Sequence, residues 1–446
     1  MLAAGIWFIH ALLNKPERVA ILLFTCIIAD INFDLKVIPL NFRALITLAL
    51  MVKILSDGKT LPGPSFLSTS YARYIILFVL YLFAVTYVNE ILDIGVVKEY
   101  ILSLLAAYLG YYFYMKEGSY RIFKVSVILA GLSCLGDLVW TYLNGGGLWI
   151  RRIYFEFTST WEIVNHNFLG YVCAFGFIFL LADYLADDRK HNKWNLIFMP
   201  AMFLGVLLST SRSSLLMLII ITIVLIGRGL ASKKNSKKAY KLTVVILSCL
   251  FISLFLFQLI SILFNIQSEF IEQITARLIE EPVAIFNRAM GNDFRADKLD
   301  SMDWRAEASE RAYYVYMHVL EANEQMFGIG LQGFMIRARG CDGIYDAHNG
   351  ILLMLIEFGL VGTLIYFAML VMFFSRYWNL RLFSPLVICM IYIVLYVTSH
   401  NRELISTFLF LLMGFMAAEL EFQYIPREEH SEEEYPEISS EYYTSE

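Results

Sequence analysis

The sequence predicts an all-α fold, a polytopic integral membrane helix bundle of about 12 transmembrane helices interrupted by one large external loop. Of its 446 residues, 59% are hydrophobic and only 17% charged, and the mean hydropathy is +0.62, well above an ordinary globular domain. Apolar runs of roughly 17 to 25 residues, enough to cross a hydrocarbon core of about 30 Å, recur along nearly the whole chain. A single polar stretch of about 84 residues, 265–348, breaks the series.

The runs place spans at 18–33, 38–55, 71–88, 94–115, 121–143, 163–184, 194–210, 213–230, 241–264, 349–374, 383–398 and 403–420. Met1 to Leu13 is too short to span, lacks a basic leader and runs into Lys15, Pro16 and Arg18, so it reads as an interfacial segment. The chain divides into transmembrane helices at 1–264, the external loop at 265–348, further helices at 349–420 and a tail at 421–446. That tail carries nine glutamates against Arg427, about −8, which leaves the remainder near +3 of the overall −5. It is expected to be solvated and disordered.

Short basic connections set the orientation. Lys233, Lys234, Lys237, Lys238 and Lys241 mark a cytoplasmic segment. Alternation from there puts Lys53, Lys116, Arg121, Arg189, Lys190, Arg376 and both termini on the same side. It puts the turn at Arg212, the long loop and the turn at His400 outside. Within the loop, Ile266, Phe270, Ile274 and Leu278 recur at helical spacing, as in a helix lying on the interface. A second helical pattern runs from Trp304 to about Met326 and stops at PheGlyIleGly, 327–330.

Three outer positions carry chemistry. Arg212 begins a span within Ser209, Thr210, Ser211, Arg212, Ser213, Ser214, where helix amides, hydroxyls and a guanidinium fork converge as an anion site; the alternative is an arginine snorkelling to the interface. The loop holds seven arginines, Arg305 and Arg311 among them, but is net acidic, so most are expected to pair with carboxylates and one or two to bind ligand. His348 stands at the start of the next helix in AspAlaHisAsnGly, where an imidazole tends to stay neutral and accept a proton, or simply caps the helix. His166 and Asn167 are a similar, weaker outer pair, and Asn349 adjoins His348. Gly359 and Gly362 are expected to permit close helix packing.

Other classes lack support. Five of six cysteines fall in apolar runs, and there is no HExxH, Walker, GxGxxG or GxSxG pattern in a fitting context. No cofactor, metal or nucleic acid is expected. A transporter or lipid flippase suits the span count, but such proteins show repeated halves and midplane polar sites, whereas these candidates gather at one surface.

The order and spacing of these residues resemble the O-antigen ligase and O-antigen polymerase superfamily of bacterial membrane glycosyltransferases. The most specific part is His348, Asn349, nine residues, Gly359, two residues, Gly362, directly after the large loop. Arg212 followed by Leu216 is similar to the family's arginine at a span start. Arg311 precedes PheGlyIleGly as the family's loop arginine precedes its GxG turn, with Arg305 as the other register.

The resemblance implies a metal-independent, inverting transfer in the bacterial cytoplasmic (inner) membrane, from a polyprenyl (undecaprenyl) diphosphate-linked oligosaccharide to an acceptor sugar hydroxyl on a glycan or lipid-linked acceptor. It further implies that Arg212 and Arg311, with Ser213 and Ser214, hold the diphosphate. His348 would deprotonate or orient the acceptor, with Arg305, His166, Asn167 and Asn349 as further contacts. A repeat-unit polymerase working with a chain-length regulator protein is expected ahead of a ligase that moves finished glycan to lipid A core.

Overall fold

The computed structural model describes residues 2–31, 41–58, 65–91, 94–144, 149–151, 163–186, 193–231, 300–334, 349–379, 384–397 and 406–423, with scattered positions between 237 and 284. Helices α1 (Leu2–Asn14), α2 (Pro16–Ile28), α3 (Phe42–Asp57), α4 (Ser70–Val88), α5 (Ile94–Glu117) and α6 (Arg121–Leu143) lead into strands β1 (Trp149–Arg151) and β2 (Ile163–Asn165). The strands pair antiparallel, Ile150 opposite Val164. Then follow α7 (His166–Ala186), α8 (Lys193–Leu208), α9 (Arg212–Ala231), α10 (Asp300–Tyr314), α11 (Ala322–Phe327), α12 (Gly350–Asn379), α13 (Pro385–Val397) and α14 (Thr407–Phe422).

Local chemistry starts these helices where the sequence offers caps. Pro16 occupies the first turn of α2, where its missing N–H is harmless. Asn41, Thr69 and Ser406 accept from the amides of Ala44, Ala72 and Leu409 at 2.9, 3.1 and 3.3 Å, satisfying donors that have no intrahelical partner.

Two helices form the axis of the bundle because they are apolar all round. Every residue of α14 from Thr407 to Leu420 is buried, and α7 is buried along nearly its whole length. α14 packs along α5, while α7 is enclosed by α6, α8, α9 and α13. Gly110 lets α5 approach closely, since a methyl there would lie 2.6 Å from the Leu411 carbonyl oxygen.

Among the described residues, five helices are long and apolar enough to cross a membrane: Ser70–Val88, Arg121–Thr141, His166–Ala186, Arg212–Ala231 and Gly350–Asn379. Trp194–Leu208 and Pro385–Tyr396 are apolar but shorter. Full-length spans therefore account for five of the twelve expected positions. The expected span at 241–264 and the loop to 299 lie largely outside the described residues, as do the tail from 424 and the 335–348 stretch.

One expectation is corrected. The pattern from Trp304 to Met326 is not one helix: α10 passes into a π turn at Val315–Val319 and ends at Leu320, whose ψ of 137° is extended. A new start at α11 follows, fixed by a capping box in which Glu321 and Glu324 each bind the other's backbone N–H.

At one end of the bundle, Asp183 of α7 is buried and accepts from Tyr120 at 2.7 Å, Lys124 at 2.6 Å and Asn195 at 2.7 Å. Burial, with that carboxylate beside it, pushes the Tyr120 phenol above its usual range, which keeps it a donor. This cluster ties α6, α7 and α8 together away from the Arg212 end.

Candidate functional site

The turn that joins α8 to α9 is built from buried hydroxyl residues. Ser209, Thr210 and Ser211 are nearly inaccessible, and Thr210 is held at φ 52°, a left-handed conformation rare for a branched residue. The strain is over-determined by partners. Ser209 Oγ donates to Val206 O at 2.7 Å, Ser211 N–H donates to Ser209 Oγ at 3.3 Å, and Leu215 N–H reaches Ser211 O at 3.0 Å. From this turn α9 begins with Arg212 and Ser213, both half-buried. The N-terminus of α9 adds its partial positive charge to that of the guanidinium.

His166, the first residue of α7, clamps the turn. It is 7% exposed, and its Nδ1 lies 2.7 Å from Ser209 O. A carbonyl only accepts, so the geometry assigns the hydrogen to Nδ1. One turn along α7, a side chain at position 170 would collide with Ser209 Oγ and stand 2.8 Å from Ser211 Cβ; glycine is what lets α7 lie against the turn. The Tyr396 hydroxyl of α13 donates to Asn167 O at 3.2 Å, and Tyr392 donates to Tyr171 O at 3.2 Å, fixing the same end of α7.

A second assembly joins two motifs that lie about thirty residues apart in sequence. α12 is broken at Gly359, with φ 66° and ψ −179°, and the backbone carbonyls exposed by the break face the PheGlyIleGly turn. Ile329 N–H donates to Ile356 O at 3.1 Å and Gly330 N–H to Glu357 O at 2.9 Å. Tyr81 of α4 bridges both partners, donating to Phe327 O at 2.8 Å and Phe358 O at 2.9 Å. Asn89 Nδ2 reaches Gly328 O at 3.3 Å, and Leu331 N–H reaches Thr86 Oγ1 at 3.2 Å. Gly359 therefore permits the close approach of the end of α11 and the loop turn that follows it to α12. Gly362 does serve close packing, against the Tyr81 ring.

Hydrogen bonds link these assemblies to one end of the bundle. Thr86, which receives the loop turn, also bonds Tyr100 at 2.8 Å near the start of α5. The adjacent Glu99 accepts from Thr407 at the start of α14 at 3.4 Å. The end of α13, close in sequence to that start, contacts the start of α7 through Tyr396.

The structure describes some of the sequence candidates and not others. Ser214 is buried and its Oγ is engaged with Ser211 Oγ at 2.8 Å, so it builds the helix start. Asn349 caps α12, its Oδ1 accepting from Leu352 N–H at 3.1 Å. Asn167 is half-buried beside His166, with its N–H on Asn165 Oδ1 at 2.9 Å. Arg311 is exposed on α10 and paired with Glu307 one turn away. Arg305 lies on the backbone of α10, its side chain outside the described residues, and His348 lies outside them altogether.

Sequence reasoning missed Tyr81, Thr86, Asn89 and Gly170. Tyr81 lies within the apolar run of α4 and Thr86 and Asn89 at its end, and all three look like ordinary membrane-helix residues until the loop is placed on them. Among the described residues, no group of three or more His, Cys, Asp or Glu gathers as a metal site requires.

A family model described as O-antigen ligase matches residues 197–367. The match runs from within α8 into α12, so it takes in the Ser209–Arg212 turn, Arg311, the PheGlyIleGly turn and the break at Gly359. No curated protein and no solved structure matches the chain.

Proposed function

We propose that this chain, whose segment 197–367 belongs to the O-antigen ligase family, transfers a glycan from a polyprenyl diphosphate carrier to an acceptor sugar hydroxyl at the outer face of the bacterial cytoplasmic membrane. The observation that carries the reading is the start of α9. There an arginine and a set of helix amides are fixed by a buried, strained turn and a histidine clamp. Such a site suits the leaving diphosphate, which needs preorganised positive charge where its own charge develops.

In the reaction the acceptor oxygen attacks the anomeric carbon as the carbon–oxygen bond to the diphosphate breaks. The bonding pair leaves with the diphosphate, and the hydroxyl proton passes to a base. Arg212 and the α9 amides stabilise the departing diphosphate and Arg311 adds charge from the loop. His348 is the base that takes this proton or orients the acceptor. Attack opposite the leaving group inverts the anomeric centre. Repeat-unit polymerisation is preferred to ligation because polymerases are the more numerous and divergent members of the superfamily.

The test is product formation by purified protein in liposomes supplied with undecaprenyl diphosphate-linked repeat units. Longer lipid-linked glycan is expected, and none from Arg212→Ala at equal membrane expression. Normal glycan from Arg212→Ala sinks the diphosphate site. Substrate moved across the bilayer with no glycosidic product would replace the transferase reading by transport. In a deletion strain, single repeat units on the acceptor identify a lost polymerase, and long chains stranded on the carrier identify a lost ligase.

A further inference from the structure

The opposite end of α9 borders a cavity that the transfer reaction does not use. Sixteen residues after Arg212, about 24 Å along the helix, Arg228 stands at its edge. The other described residues that line it are Phe374, Tyr377 and Trp378 of α12 and Val387, Ile388 and Ile391 of α13. The α12 residues follow the i, i+3, i+4 pattern of one helix face, and so do those of α13 as i, i+1, i+4. α13 packs against both α9 and α12, so it forms the floor between two walls. The cavity volume is about 810 Å³, within the roughly 300–1,000 Å³ of ligand sites.

Its chemistry is that of an amphiphile. The Tyr377 hydroxyl is turned to Glu419 at 2.6 Å and is spent there, which leaves, among the described residues, an aromatic and aliphatic lining with Arg228 at its rim. The walls continue onto surfaces made for lipid. Ile219, Ile220, Ile223 and Val224 of α9 are exposed, as are Leu360, Leu364 and Val371 of α12. Trp378, at the end of α12, is 84% exposed, the placement of an indole at headgroup level. The sequence just beyond Arg228 adds Lys233, Lys234, Lys237, Lys238 and Lys241, a polybasic run of the kind that draws anionic lipid to a membrane surface.

We infer that this groove binds one anionic phospholipid, its phosphate at Arg228 and its acyl chains along Phe374, Ile388 and Ile391. Charge complementarity selects the headgroup, and the lipid-facing walls select a lipid over a soluble partner. The site is independent of the transfer chemistry at the Arg212 end.

The test uses the full chain, purified in mild detergent with equal dioleoyl phosphatidylglycerol and dioleoyl phosphatidylethanolamine. Retained lipid is then weighed by native mass spectrometry. One phosphatidylglycerol per chain is expected to survive conditions that strip phosphatidylethanolamine. Arg228→Gln should lower its retention about fivefold, the worth of one basic residue at an anionic surface, and Arg228→Lys should restore most of it. Ile388→Trp, which fills the groove, should remove it. Arg228 is exposed, and an unchanged unfolding temperature in the glutamine variant checks that the fold is kept. No preference for phosphatidylglycerol, or unchanged retention in Arg228→Gln, overturns the inference. So does a dimer that Ile388→Trp dissociates, since a second copy would then be the occupant.

Discussion

Replacing Gly359 by alanine tests whether the break in α12 and the PheGlyIleGly turn form one unit. At φ 66° and ψ −179° the backbone occupies a region essentially reserved for glycine, and keeping an L-residue there costs about 1–3 kcal/mol. The new methyl would stand 2.5 Å from both Met326 O and the Phe327 carbonyl carbon, so the turn must retreat. Retreat gives up the bonds from Ile329 and Gly330 to Ile356 O and Glu357 O, about 0.5–1.5 kcal/mol each.

Together these weaken the seat by about 2–6 kcal/mol, and even the lower figure makes local opening at least ~30-fold more frequent. The assay is amide hydrogen exchange on peptides covering 326–331, with the protein in lipid nanodiscs. Gly136→Ala is the control, because a methyl there meets nothing within 4 Å. At that helical position alanine is expected to stabilise by up to ~1 kcal/mol. Unchanged exchange at Ile329 and Gly330 in a folded Gly359→Ala protein refutes the reasoning, as does equal acceleration in the control.

Three further outcomes are expected. His166→Phe removes the donor to Ser209 O and leaves that buried carbonyl unsatisfied, a cost of about 1–3 kcal/mol, so glycan transfer should fall at least tenfold. His166→Asn, which keeps an N–H donor, should recover part of it in the same liposome assay. Asp183→Leu strands Lys124, Tyr120 and Asn195, which all donate to this carboxylate. Thermal unfolding in detergent should report a loss of about 3–5 kcal/mol, and a change below about 1 kcal/mol would show the cluster is not a staple. Arg311→Gln breaks only an exposed pair with Glu307, worth about 0.5 kcal/mol or less. Stability should therefore be unaltered while transfer is lost; retained transfer would remove Arg311 from the site.

Composition and periodicity alone sufficed for the helical membrane class, because burying a backbone in lipid leaves a helix few alternatives and makes apolar runs long enough to see. Arg212 stood out for the same local reason: a charge between two apolar runs, among hydroxyl residues, is conspicuous without any knowledge of its neighbours. Helix lengths were less legible. The expected single helix from Trp304 to Met326 is split by a π turn and a capping box, whose cost and benefit depend on what α10 and α11 pack against.

Tertiary structure decided what the motifs do for one another. Gly359 could be read as a packing glycine, but its partners, the end of α11 and the loop turn, could not be read, and His166 was a stray imidazole until Ser209 O appeared 2.7 Å away. Tyr81 and Thr86 carry no signal of their own, since a tyrosine or threonine within an apolar run is commonplace. Apolar content and capping are properties of neighbours along the chain, which sequence displays directly. A hydrogen bond between residues separated by 43 positions, as at His166 and Ser209, or by 245, as at Thr86 and Leu331, exists only once the bundle has closed.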